Sequence, residues 1–239
     1  MKKTALITGA SRGIGKAIAR AFAPVFDTLI LTGFHSKDAL LELKKELEEK
    51  YEVECILYFG DIGDYGFVTE IFKGINHIDV LVNNAGISHI GLLSDMSYEE
   101  WNRVINTNLN ACFYTCKQAV PLMVQQKSGH IINISSIWGC VGASMEVAYS
   151  ASKGGVNAFT QALAKELAPS NIQVNAIACG VIDTEMNQCF SEEERLALVE
   201  EIPADRFGLP DEVARLALQL YQAPGYLTGQ VIRLDGGIV

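Results

Sequence analysis

The chain has no surplus of positive charge. Its 239 residues hold 19 lysines and arginines against 28 aspartates and glutamates, a formal net charge of −9, and no run of Lys or Arg exceeds two residues. Nucleic acid and anionic membranes both require a basic face, so neither is expected as the main partner. Long apolar runs are missing as well. None reaches the roughly 18 residues of a membrane span, and the start "MKKTALITGA" lacks a signal-peptide cleavage pattern. The six cysteines (Cys55, Cys112, Cys116, Cys140, Cys179 and Cys189) contain no C-x-x-C pair, and the four histidines are scattered. No metal site is therefore expected, and reduced, buried thiols in a cytoplasmic protein are the reading.

What is present is alternation. With 49% hydrophobic residues, the length suits one compact domain over 1–239. Short apolar runs, "TALIT", "TLILT", "ECILYF", "IDVLVNN", "HIINIS", "IQVNAIA" and "QVIRLDG", are separated by amphipathic helical stretches. Most are apolar through their centres, as strands buried on both faces are. In "SKDALLELKKELEEKY", Leu40, Leu43 and Leu47 form one stripe. This pattern predicts an α/β fold of the Rossmann kind: a doubly wound, parallel, seven-stranded sheet with helices on both faces. The least regular stretch, Cys179 to Arg206, contains an acidic helix; it is read as a flexible lid over about 183–206 or as plain connecting structure.

The stretch "ALITGASRGIGKA" resembles two phosphate-binding devices. A P-loop of the form G-x-x-x-x-G-K-[ST] would need a glycine where Ala10 stands and a magnesium-binding hydroxyl where Ala17 stands. What remains is Gly9, Gly13 and Gly15 after a strand and opening a helix, the form that holds a dinucleotide pyrophosphate on free N–H groups at a helix start.

Together with "NNAG" after the fourth strand and Ser136 followed by "YSASK", the turn resembles the short-chain dehydrogenase/reductase family, in order and spacing and along essentially the whole chain. The resemblance implies a nicotinamide cofactor. It places Gly9, Ser11, Arg12, Gly13, Ile14 and Gly15 at the pyrophosphate, and Asp61 and Ile62 at the adenine. Asn84, Ala85 and Gly86 fall on the ribose side, and Gly180, Ile182 and Thr184 near the carboxamide. Where the family commonly has Pro-Gly, this chain has Cys179-Gly180. Gly33 stands where an NAD-selective acid would bind the ribose 2′-hydroxyl. Arg12, Lys37 and His35 suit a 2′-phosphate instead, so NADP(H) is favoured over NAD(H), although Lys37 also reads as a solvated helix-start lysine.

The resemblance also implies a catalytic set of Asn108, Ser136, Tyr149 and Lys153. Tyr149 and Lys153, four apart on a helix, share a face and would both touch the cofactor. A free phenol, with pKa about 10, is a poor base; a nearby ammonium is expected to lower it by about 1–3. Ser136, favoured over Ser135 by its spacing to Tyr149, would hold the carbonyl oxygen, and Asn108 would anchor a water that refills the proton through Lys153.

Substrate is less legible. Many relatives are 3-oxoacyl-acyl-carrier-protein reductases, but the stretches expected to supply arginines for the acidic carrier, "MVQQKSGH" and "LAPSNIQ", hold only Lys127. "SSIWGCVGASMEVAYSASKG" and "GISHIGLLSD" resemble reductases of the 5-aminopentanone group on elongation factor P. Trp138 would then be an aromatic wall and Glu146 a partner for an amine, unless both are simply core, solvent or subunit contacts. The elongation factor P ketone is the expected substrate, with the 3-oxoacyl thioester as the alternative. A non-catalytic NADP(H)-sensing module is a third reading. The apolar helices from Trp101 and Tyr149 imply, by the same resemblance, a homotetramer, with a dimer as the fallback.

Overall fold

The computed structural model describes residues 2–187 and 191–239; Cys189 and part of the expected lid lie outside them. In chain order the elements are β1 (Thr4–Ile7), α1 (Gly13–Phe22), β2 (Thr28–Gly33), α2 (Lys37–Lys50), β3 (Glu54–Phe59), α3 (Tyr65–Phe72) and β4 (Val80–Asn83). Then come α4 (Tyr98–Ile105), α5 (Ala111–Gln126), β5 (Gly129–Ser136), α6 (Trp138–Val141), α7 (Val147–Leu167) and β6 (Ile172–Cys179), followed by α8 (Glu192–Glu201), α9 (Pro210–Gln222) and β7 (Val231–Leu234). All seven strands pair in parallel in the order β3-β2-β1-β4-β5-β6-β7. The order reverses direction at β1 and β4, where an open sheet of this kind leaves a crevice at the strand ends.

Alternation along each central strand builds two cores. Ala5, Ile7, Leu29, Leu31, Val80 and Val82 face α1, α2 and α9, where Ile18, Phe22, Leu40, Leu43, Leu47, Val213 and Leu220 are fully or nearly fully buried. Leu6, Ile30, Leu81 and Ile131 face the other way, onto Ile71, Ala119, Met123, Ala164 and Leu167 of α3, α5 and α7. Each Val, Leu, Ile, Phe or Met among them contributes about 1.5–3 kcal/mol on burial, so the sheet is held rigidly between its layers.

A buried polar ladder fixes the catalytic helix against that sheet. Thr115 Oγ1 donates to Asn83 Oδ1 (2.6 Å), Asn83 Nδ2 to Asn133 Oδ1 (2.9 Å) and Asn133 Nδ2 to Thr160 Oγ1 (2.8 Å). Ser135 Oγ donates to Asn157 Oδ1 at 2.6 Å. These bonds cross from α5 through β4 and β5 to α7. A one-residue slip of α7 would leave several buried polar groups unpaired, at about 1–3 kcal/mol each. Tyr149 and Lys153 inherit their position from this register.

Candidate active site

The carboxyl ends of the central strands open into a cleft of about 620 Å³. Its floor is built from the turns after β1 and β4. Gly9 has φ +66°, and a Cβ there would sit 2.9 Å from the Ala85 Cα. A Cβ on Gly15 would sit 2.2 Å from the Gly9 carbonyl oxygen, so that residue packs the helix onto the turn and is not itself in the cleft wall. Thr8 joins the two turns: its hydroxyl accepts from the N–H groups of Asn84 and Ala85, both at 3.0 Å. Asn84 Nδ2 donates back to the carbonyls of Thr8 and Gly9. Sequence reasoning missed Thr8, whose only signal is a hydroxyl just before the glycine turn.

Arg12 begins α1 in extended backbone and makes no side-chain cap, leaving the first N–H groups of the helix for an anion. Bare glycine backbone beside an uncapped helix start, along a cleft long enough to run from Gly33 to Gly180, fits a dinucleotide. Gly9, Ser11, Arg12, Gly13, Ile14, Asp61, Ile62, Asn84, Ala85, Gly86, Gly180, Ile182 and Thr184 all line this cleft. Lys37 does not: its ammonium lies 5.2 Å above the Phe59 ring instead. Arg12 and His35 line the same cleft as Gly33, joined by Phe34, whose ring lies 4.2 Å from that of His35. Ile87 and Ile90, from the stretch "GISHIGLLSD", also line the cleft, as do Thr32, Ser36, Gly60, Arg103 and Leu198, which carried no motif that would have singled them out.

At the other end stand the four residues expected to do chemistry. Ser136, Tyr149 and Lys153 line the cleft together, with Ser136 close enough to the Tyr149 phenol to favour its ionised form. The two serines separate cleanly: Ser135 is engaged with Asn157 beneath the surface, whereas Ser136 faces Tyr149 and accepts from the Trp138 N–H at 3.2 Å. Lys153 is 5% exposed and donates to the Ile134 carbonyl at 2.8 Å. An ammonium has three donors, and Gly86, with no side chain, leaves open space 3.5 Å from Nζ.

The expected acidification of Tyr149 is not found. Burial dominates and pushes the phenol up from its ordinary value; the Ser136 bond works against this, and the charges of Cys179 and Glu146 add to it. The Lys153 ammonium lies 5.7 Å from the ring centre and is itself pushed down by burial. A proton donor to a developing alkoxide must be protonated beforehand, so a raised phenol suits reduction.

Asn108 also departs from expectation in part. It sits in a π-helical turn, Asn106–Asn110, between α4 and α5, a distortion common at functional sites. Its side chain is already committed: Oδ1 accepts from the Ile87 N–H (2.8 Å), while Nδ2 donates to the Ile87 carbonyl and Ser152 Oγ. Asn108 thus fixes the segment following Gly86, and any water it holds must use another group.

Trp138 and Glu146 both line the cleft. Glu146 precedes α7 yet makes no side-chain cap bond, and burial raises its carboxyl above the ordinary value. Met145 before it holds φ +62°, unusual for a side-chain-bearing residue, and its carbonyl accepts from Gly91 N–H at 2.8 Å. This left-handed corner immediately precedes Glu146, which lines the cleft. Among the described residues, no group of His, Cys, Asp or Glu could hold a metal, and no helix is long and apolar enough to cross a membrane.

A parallel-sheet dinucleotide cleft ending in a Ser, Tyr and Lys cluster defines an oxidoreductase acting on carbonyl and hydroxyl groups. The chain belongs to the short-chain dehydrogenase family, whose model, described as short chain dehydrogenase, matches residues 3–195. It uses a nicotinamide cofactor, and the sensing-module reading is set aside. The chain is 43% identical to 3-oxoacyl-acyl-carrier-protein reductase FabG of Thermotoga maritima, over 99% of this chain and 98% of that protein. It is 40% identical to the protein of the same name in Aquifex aeolicus, over 99% and 97%. Among solved structures, YwfH, described as an NADPH dependent reductase involved in bacilysin biosynthesis, matches with a TM-score of 0.92 at 28% identity, covering 100% of this chain and 99% of that one.

Proposed function

We propose that the protein is an NADPH-dependent reductase of 3-oxoacyl thioesters carried on an acyl carrier protein, working in the cytoplasm. The observation that carries the reductase reading is the meeting of Ser136, Tyr149 and Lys153 at the end of the dinucleotide cleft. When bound, the nicotinamide supplies hydride to the carbonyl carbon. Ser136 holds the carbonyl oxygen in place. Tyr149, protonated at neutral pH, gives its proton to that oxygen. Lys153, beside Tyr149 in the cleft, would hold the nicotinamide ribose. NADPH is preferred over NADH because Arg12 and His35 line the cleft together with Gly33, where a carboxylate that would repel a 2′-phosphate is replaced by glycine. The thioester substrate is supported by the names of the relatives at 40% and 43% identity.

Glu146 favours a second reading. A carboxyl partly desolvated in the cleft suits an amine-bearing ketone, such as 5-aminopentanone on elongation factor P, better than a neutral thioester arm. No relative reported above is named for that activity. Exposed Phe113 and Val124 on α5, 47% and 41% accessible, support assembly through that helix into a homotetramer, or failing that a dimer.

NADPH consumption decides between the substrates. The purified protein is offered acetoacetyl-acyl-carrier-protein, acetoacetyl-CoA, and aminopentanone-modified elongation factor P. Thioester turnover far above that of the modified factor supports the first reading, and the reverse ranking replaces it with the second. No oxidation of NADPH by any of them sinks both.

A further inference from the structure

Helix α8 is poorly anchored by its own sequence. It begins with a local capping box between Ser191 and Glu194, is rich in glutamate, and buries none of its side chains fully. Its apolar contribution to the cleft is Leu198. Something other than core packing must keep that side chain over the cleft.

Arg195 does this geometrically. Its Nη2 donates to Asp183 Oδ1 at 2.8 Å, and Nη1 reaches the Asn187 carbonyl at 3.5 Å. The guanidinium also lies 4.6 Å above the Phe207 ring. Asp183 is the neighbour of Thr184, which lines the cleft beside Gly13. Phe207 is itself buried and fixed, since Asp183 N–H donates to the Gly208 carbonyl and Arg206 clamps Glu212 through two bonds. Arg195 and Leu198 are three apart and share a helix face. One arginine therefore joins the helix that carries Leu198 to the segment that carries Thr184.

We infer that Arg195 is a positioning residue, fastening α8 over the cleft by gripping Asp183 and the Phe207 ring. The planar guanidinium is needed for both contacts at once; a lysine pairs with Asp183 but does not stack in the same way. Opening of α8 thereby becomes coupled to the cofactor-side segment, and ketone affinity depends on a residue that touches no reactant.

The kinetic arm rests on the carbonyl-reductase reading; the exchange arm does not. Arg195→Ala is expected to speed amide hydrogen exchange across 192–201 in the unliganded protein. It should also raise the KM for the ketone by about tenfold, while kcat changes by less than about threefold, the size set by losing an exposed ion pair together with a ring stack. Arg195→Lys should recover part of both effects, and guards against a variant that merely folds badly. Unchanged exchange in α8 overturns the inference, as does a loss confined to kcat or a KM equal to the parent's. A parent protein that reduces no ketone counts against the function reading alone, because exchange still decides the role of Arg195.

Discussion

Adding a single carbon at Gly15 tests how tightly the dinucleotide turn is built. In Gly15→Ala the new Cβ would meet the Gly9 carbonyl oxygen at 2.2 Å, Asn84 Nδ2 at 2.5 Å and the Gly9 carbonyl carbon at 2.9 Å. Comfortable contacts lie near 3.5 Å, so the turn must retreat by about 1 Å. Neither neighbour is a loose side-chain tip. One is main chain, and the other is tied to the carbonyls of Thr8 and Gly9 at 2.8 and 3.0 Å. Two terms oppose each other in stability. Alanine is better than glycine in a helix by about 1 kcal/mol, while overpacking costs about 1–3 kcal/mol, so the net loss is only about 0–2 kcal/mol. Ligand binding is the sharper readout, because a retreat of about 1 Å takes turn N–H groups out of hydrogen-bond reach of a charged phosphate, at about 1.5–3 kcal/mol per bond. Fluorescence titration should show NADPH binding weakened by at least about tenfold in a variant whose urea midpoint moves little. A folded Gly15→Ala protein that binds NADPH as the parent does refutes the account of the turn.

Two further perturbations probe the other end of the cleft. Burial raises the Glu146 carboxyl in the folded chain above its ordinary value of 4.5, so between those two values the folded state binds more protons than the unfolded state. Stability from this group is present below about pH 4.5 and is lost as pH rises through the folded value. Glu146→Gln should therefore flatten the decline of Tm from acid to neutral pH, and identical pH slopes in parent and variant contradict the buried-carboxylate account. Asn108→Ala removes three hydrogen bonds and leaves the Ile87 N–H and carbonyl without their partner. Urea unfolding should register a loss of at least ~1 kcal/mol, with kcat reduced as the segment after Gly86 loosens; parent-like stability would show that water or backbone replaces the amide at no cost.

The strands were legible because each is a short apolar run bounded by polar or turn residues, and Leu40, Leu43 and Leu47 of α2 fell on one buried face as their spacing requires. Tyr149 and Lys153 shared a face for the same reason. Other features depend on contacts distant in sequence. The π turn at Asn106–Asn110 accompanies bonds from Asn108 to Ile87 and Ser152, neither of which a local pattern reveals. Lys37 was placed at the cofactor by its position in the chain, yet the Phe59 ring on the neighbouring strand draws it aside. The direction of the Tyr149 shift was misread because i, i+4 spacing conveys proximity to a cation but not the depth of burial, which prevails here. Phe34 and Leu198 reach the cleft from a loop and a helix, and nothing in their local sequence marks them.

The most direct measurement is the rate of ketone reduction by Tyr149→Phe, made alongside its NADPH affinity. The phenyl ring keeps the fill of the cleft and removes only the hydroxyl near Ser136. If that hydroxyl delivers the proton, kcat/KM falls by about 10²–10⁴ while NADPH binding stays near that of the parent. A variant retaining more than about a tenth of parental turnover would place the proton elsewhere and contradict the account.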